Sequence, residues 1–371
     1  MDRISIIERK SDRRRLPDFL SEDSLMDVRK FHRGLPGYGE TPLVSIESLA
    51  ARLGLGGIYI KDESKRFGLN AFKALGASYA VAKILEKDPG ANVFVTATDG
   101  NHGRGLAWAA SHAGGKAYVF MPKGSMDCRA EAIRRIGADV RVTDMNYDDT
   151  VRFAWGFAKE RGYRLVQDTA FEGYEAVPMD ITRGYTTMAA EALEQLKKRG
   201  VHKPTHMFLQ AGVGSMAGGV LGYLANLYGG EPPVTAIVEP EEAACVYESV
   251  RTGKPAAIGG SPRTQMAGLN CGEPNITVLP ILEDFAAFFA KCSDSVTHRG
   301  MRKLAHPEGS DPPVVSGESG AVGLGLLLCL CEDGEFAGYR EKIGLGRDSV
   351  VLLFSTEGDT DPENYRRIIN E

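Results

Sequence analysis

Short apolar strands alternating with amphipathic helices predict an α/β protein with two open parallel twisted sheets covered by helices. Two further observations support that class. Every glycine-rich motif in the chain follows a strand, as ligand loops of open α/β sheets do. The length, 371 residues, exceeds a single core and points to one large or two medium units. No repeat, low-complexity tract or long Pro/Ser linker separates the units, so they should share an interface and a cleft.

The elements follow in order. Residues 57–60 read as a strand and 61–70 as the polar loop after it. A first series alternates strands at 92–97, 116–121, 140–143 and 164–167 with helices at 103–112, 128–136 and 147–161. Pro122 ends the second of these strands, and Gly137 closes the second helix. The second series comprises helix 181–199, strand 206–210, helix 215–227, strand 234–238, the apolar helix 320–331 and strand 349–354. The N-terminal region is expected to join this second unit. The boundaries expected are 1–74 with 179–371 for a large domain and 75–178 for a small one.

Composition removes several function classes. A net charge of −5, with Lys and Arg scattered among Asp and Glu, argues against a nucleic-acid partner. The apolar run 320–331 is interrupted by glycines and falls short of the roughly 20 residues a bilayer requires. Acidic and basic residues occupy 1–10 where a signal peptide needs an apolar core, so cytoplasmic residence is the default expectation. The six cysteines show no C-x-x-C spacing, which favours reduced thiols and no metal site, with a Cys271 to Cys292 bond left open.

Three motifs carry chemistry. Lys73 lies in Asn70-Ala71-Phe72-Lys73-Ala74-Leu75-Gly76, among apolar and small residues that should desolvate it, lower its pKa and ready it to attack an aldehyde. The ordinary alternative is a lysine snorkelling from a helix start. Its place at a strand-to-helix mouth favours the former. Thr98-Asp99-Gly100-Asn101-His102-Gly103 follows a strand and opens a helix, so its backbone N–H groups face a carboxylate or phosphate. Asn101 offers donors to a phenolate oxygen, Asp99 is a base at the mouth of the cleft, and His102 reads as a structural residue. Gly212-Val213-Gly214-Ser215-Met216 is a phosphate-sized cradle before a helix.

One lysine, one amide and one phosphate cradle are the parts that hold an aldehyde cofactor as a Schiff base. The cradle alone also admits a nicotinamide-dependent oxidoreductase, with Glu239 on a ribose, although its spacing is G-x-G-x-x-x-G. Residues 316–320 and 355–361 are either plain turns or hydroxyl contacts to a cofactor ring.

These segments, with 144–150 and 167–170, resemble the diaminopropionate ammonia-lyase family over residues 61–361. That family lies within the tryptophan synthase-like, fold type II pyridoxal phosphate enzymes. The resemblance implies that Lys73 holds pyridoxal 5'-phosphate in the interdomain cleft and that Asn101 bonds its ring oxygen. It places the phosphate on the amides of Gly212, Val213, Gly214, Ser215 and Met216, and Ser355 or Thr356 at the pyridine nitrogen.

Related dehydratases carry serine where this chain has Asp99, which suits a hydroxylated substrate. An aspartate there can instead pair with a second ammonium. The expected reaction is α,β-elimination of D- and L-2,3-diaminopropionate to pyruvate and two ammonia. Lys73 and Asp99 are then bases on opposite faces and Asp168 a supporting acid, with Thr98, Asp99, Gly100 and Asp168 contacting substrate. The resemblance further implies a homodimer and a mobile small domain that closes on substrate. Serine, threonine or 3-hydroxyaspartate dehydration is the neighbouring alternative, and a non-catalytic cofactor sensor a remoter one.

Overall fold

The computed structural model describes residues 2–98, 100–260 and 262–371. Its strands are β1 (Ile4–Glu8), β2 (Leu43–Ser45), β3 (Gly57–Asp62), β4 (Val93–Ala97), β5 (Lys116–Met121), β6 (Asp139–Val142), β7 (Arg164–Leu165), β8 (His206–Gln210), β9 (Val234–Pro240), β10 (Phe288–Cys292) and β11 (Val350–Ser355). The smaller sheet has the order β6-β5-β4-β7, and every pair in it is parallel. The larger has the order β1-β10-β9-β8-β11-β3-β2.

That larger sheet is parallel only through its middle. Both edges, β1 on β10 and β2 on β3, run antiparallel, which departs from the expected all-parallel sheet. The physical reason is exposure: β8 is buried along its whole length, as a central parallel strand must be, whereas β1 buries only Ile6, as suits an edge. The N-terminal strands do join this sheet, as expected.

Other boundaries shift for identifiable reasons. The helix Ala176–Lys198 begins before the expected 181 because Pro178 sits in its first turn, where the missing N–H is not needed. Strand β7 stops at Leu165, and Gln167 instead turns its side chain to accept from Thr96 Oγ1 at 2.8 Å and Ala97 N at 2.9 Å. The helix Glu318–Glu332 is buried around nearly its whole circumference, as its apolar run predicts. No helix among the described residues is long and apolar enough to cross a membrane.

Two features fix the start of the helix Ala74–Lys87, immediately after Lys73. First, this helix crosses Ala176–Lys198 at such close range that a Cβ at Gly184 would lie 2.5 Å from the Leu75 carbonyl oxygen. Second, the polar loop after β3 is anchored by a buried charge network. Arg66 reaches Glu191 at 2.7 Å and Glu63 at 2.9 Å, Lys61 reaches Glu191 at 2.8 Å, and Thr41 Oγ1 donates to Glu63 at 2.6 Å. Burial works against the Glu191 carboxylate, but Arg66 and Lys61 outweigh it and hold the group at about 2.

Two cations are thus satisfied by Glu191 out of reach of water. Glu191→Ala leaves Lys61 without its carboxylate and Arg66 with Glu63 alone, and a broken buried pair costs roughly 3–5 kcal/mol. Urea unfolding of the variant should show a loss of that order, and an unchanged midpoint would mean that the network is not what holds the loop.

Candidate active site

A cavity opens at the carboxyl ends of β4, β8 and β11. It is lined by Lys73 and Asp168, by Thr98, Gly100 and Asn101, and by Gly212 to Met216. The three motifs therefore converge. Asp99 lies outside the described residues, but its neighbours Thr98 and Gly100 both face the cavity.

Lys73 pairs with Asp168 through a close Nζ contact, and its ammonium lies 5.2 Å from the Phe72 ring centre and 5.7 Å from that of Tyr185. The expectation of a lowered lysine pKa is overturned. Burial does penalise the ammonium, but the Asp168 carboxylate, with Tyr185, outweighs it and raises the pKa above the ordinary lysine range. Burial likewise works against charged Asp168, and the Lys73 ammonium reverses this, holding its carboxyl at about 2. An apolar sequence context signalled desolvation. It could not signal a carboxylate brought in from the end of the smaller sheet.

His102 is placed structurally, with Nε2 2.8 Å from the Val166 carbonyl and Nδ1 3.9 Å from Asp168. Burial lowers its pKa, so it is neutral. Asn101 donates from Nδ2 to Glu357, whose carboxylate also accepts from Ser319 N at 2.9 Å. Nδ2 carries two hydrogens, so this bond leaves one to offer a ligand. Thr98 Oγ1 accepts from Gly100 N at 2.9 Å and so shapes the loop.

In the cradle, Gly214 has φ +95° and caps the helix Ser215–Leu227, whose first N–H groups have no helical acceptor. The Ser215 hydroxyl donates to the Asp168 carbonyl oxygen at 2.5 Å and accepts from Asn275 at 2.8 Å, so what Ser215 presents to the cavity is its backbone. Glycine backbone, a helix N-terminus, a lysine and an amide donor fit the phosphate, aldehyde and ring oxygen of pyridoxal phosphate.

Of the two hydroxyls expected near the pyridine nitrogen, only Thr356 lines the cavity, where its Oγ1 accepts from Gln210 Nε2 at 2.9 Å. Ser355 is turned away and donates to Ser316 Oγ at 2.8 Å. The segment 316–320 contributes Ser319 to the wall. Glu239, the ribose ligand of the oxidoreductase alternative, is fully buried and accepts from the backbone of Val246 at 2.8 Å and Tyr247 at 2.6 Å, so it anchors a helix instead. No disulfide joins Cys271 to Cys292: the first lines the cavity and the second lies within β10 of the larger sheet.

Gln210, Glu357 and Arg129 also line the cavity and were not singled out from sequence. Gln210 ends a strand, Glu357 sits in a polar turn, and Arg129 shares its helix with Arg134, so no local pattern marked them.

The model of the family described as pyridoxal-phosphate dependent enzyme matches residues 35–355. The chain is 48% identical over 361 residues to diaminopropionate ammonia-lyase of Escherichia coli strain K12, covering 93% of this chain and 90% of that protein. This chain belongs to the pyridoxal-phosphate dependent enzymes and, within them, to the diaminopropionate ammonia-lyases.

Solved structures of this ammonia-lyase family agree. The crystal structure of the Escherichia coli enzyme in complex with an aminoacrylate-PLP azomethine reaction intermediate superposes with a TM-score of 0.94 at 47% identity, covering 99% of this chain and 97% of that one. The same enzyme in complex with D-serine gives a TM-score of 0.95 at 45% identity, with 99% and 97% covered. The fold type II architecture and the cofactor, pyridoxal 5'-phosphate, accordingly stand.

Gly214→Ala tests the cradle. A Cβ at φ +95° is strained and would lie 3.1 Å from Leu282 Cδ1. Equilibrium dialysis should show cofactor affinity falling by about tenfold or more, the equivalent of roughly 1.4 kcal/mol of strain or lost contact; unchanged affinity would place the phosphate elsewhere.

Proposed function

We propose that this chain catalyses α,β-elimination of both enantiomers of 2,3-diaminopropionate, giving pyruvate and two molecules of ammonia. The observation that carries this reading is the convergence of Lys73 and Asp168 with the glycine cradle and the 98–101 loop in one cavity. The 48% identity to an ammonia-lyase over 93% of the chain supports the substrate, and the likeness to a relative solved with D-serine supports acceptance of a D amino acid.

In this reading Lys73 holds the aldehyde carbon, the amides of Gly212 to Met216 hold the phosphate, Asn101 the ring oxygen and Thr356 the pyridine nitrogen. Bound there, pyridoxal phosphate supplies an electron sink for negative charge developing at the substrate α-carbon. A neutral hydroxyl rather than a carboxylate at the ring nitrogen keeps that sink modest, which suits elimination over a long-lived carbanion.

The chain's own groups move the protons. Lys73 Nζ takes the α-proton of the L isomer, and Asp168, deprotonated beside it, keeps the resulting ammonium in place. Asp99 takes the α-proton of the D isomer from the other face and pairs with the β-ammonium, the feature that separates a diamino acid from a hydroxylated one. The β-ammonium leaves the β-carbon as neutral ammonia, taking the electrons of the C–N bond, so no further proton is required. The released 2-aminoacrylate hydrolyses in water to pyruvate and the second ammonia.

We extend the proposal to the whole enzyme as a cytoplasmic homodimer acting in amino acid catabolism. Its small domain, residues 75–178, closes on the large domain formed by 1–74 and 179–371. The parallel sheet β6-β5-β4-β7 lies wholly within that segment and supports the division.

A substrate panel with both enantiomers tests the reading. Pyruvate formation should be fastest with 2,3-diaminopropionate, and a large advantage for L-serine or L-threonine would make the chain a dehydratase instead. Lys73→Ala should abolish turnover of both isomers. Asp99→Asn should spare the L reaction more than the D reaction; equal loss on the two would make Asp99 a binding group and not a base.

A further inference from the structure

Glu357 is a cavity residue to which the proposed chemistry gives no task. It follows β11, lines the cavity, and keeps only 2% of its surface exposed. Its two carboxylate oxygens serve different parts of the fold. One accepts from Ser319 N at 2.9 Å, in the first turn of the helix Glu318–Glu332. The other accepts from Asn101 Nδ2, at the start of the helix Asn101–His112, and lies 3.5 Å from the donating Thr360 Oγ1.

The Glu357 side chain has little freedom to do otherwise. It packs so closely on Gly317 that a Cβ there would meet its Cγ at 3.1 Å and its Cδ at 3.3 Å. Its backbone is held as well, since the Glu357 carbonyl accepts from Gly317 N at 3.0 Å and the residue forms a bridge with Ala71, two positions before Lys73. The carboxylate is therefore a fixed point of the larger-sheet side. Asn101 belongs to the other side, because its helix follows β4 of the smaller sheet.

A carboxamide turned over by half a rotation keeps its shape and exchanges a donor for an acceptor. An ionised carboxylate can only accept. Glu357 thus selects the orientation of Asn101 in which Nδ2 faces it, and the second Nδ2 hydrogen is left for a ligand. A negatively charged ring oxygen needs that donor and would be repelled by Oδ1. The choice is made by a charge on one sheet for an amide on the other.

We propose that Glu357 is the positioning residue for Asn101, fixing its amide so that an N–H is offered to the ring oxygen of the cofactor. This rests on Asn101 bonding that oxygen, as read above. Glu357 itself touches neither the ring oxygen nor the reacting atoms in this role, and acts only through the asparagine.

A double-mutant cycle on cofactor affinity tests the proposal without turnover. Equilibrium dialysis of pyridoxal phosphate is carried out on the wild type, Glu357→Gln, Asn101→Ala and the combined variant. Glutamine turns one of the two acceptors into a donor, so Asn101 or Ser319 loses its partner. With Asn101 present, Glu357→Gln should weaken cofactor binding by about tenfold, the scale of one hydrogen bond to a charged group. With alanine at 101 the same change should cost less than about twofold, since nothing remains to be positioned.

Equal losses in the two backgrounds are what a merely structural glutamate would give, and would overturn the proposal. So would an unchanged affinity for Glu357→Gln with Asn101 present. Glu357→Asp, which keeps the charge and withdraws it by one methylene, gives the same cycle if Glu357→Gln does not fold. Asn101→Ala alone checks the parent reading. If it binds cofactor as the wild type does, the ring-oxygen role of Asn101 falls and the proposal with it; if it weakens binding and the cycle shows no coupling, only the role of Glu357 falls.

Discussion

The contact between Lys73 and Asp168 organises this site. It spans the two sheets, since Lys73 follows the loop after β3 of the larger sheet and Asp168 comes shortly after β7 of the smaller. Either charge alone in this buried place would be costly, and together they keep the lysine protonated and the aspartate ionised. The rest of the cavity is arranged around that pair. Ser215 fixes the Asp168 backbone to the head of the cradle, and His102 stands neutral beside the carboxylate.

The pair also changes what the lysine must do first. A protonated amine cannot attack an aldehyde, so Lys73 has to lose a proton before it can hold the cofactor. Asp168 favours the charged form until a ligand alters the local field. The same preference is useful later, because a lysine that has taken a proton needs a partner to stabilise it. In the proposed mechanism the same contact opposes the deprotonation that attack requires and stabilises the lysine once it has taken a proton, a trade that a lysine desolvated by apolar neighbours alone would not face.

Much of this was legible in the chain. The strands at 116–121 and 206–210 and the helices at 147–161 and 215–227 fall where alternation and turn residues put them, because a parallel sheet needs continuous apolar runs. The cavity motifs were legible because each combines a glycine or amide with a strand end. What was hidden was long-range. The antiparallel edges depend on what covers β1 and β2, and the pairing of Lys73 with Asp168 joins residues far apart in the chain. Gln210, Glu357 and Arg129 acquire meaning only from what faces them across the cleft. Glu239 shows the converse: its position suited a ribose, and burial against two backbone amides gives it to a helix.

The central claim is that Lys73 is the residue that carries the cofactor. Borohydride reduction of the coloured holoenzyme, followed by proteolysis and mass mapping, tests it most directly. The account predicts loss of the violet absorbance and a pyridoxyl adduct on the peptide containing Lys73. An adduct on another lysine, or reduction without any adduct, would contradict it.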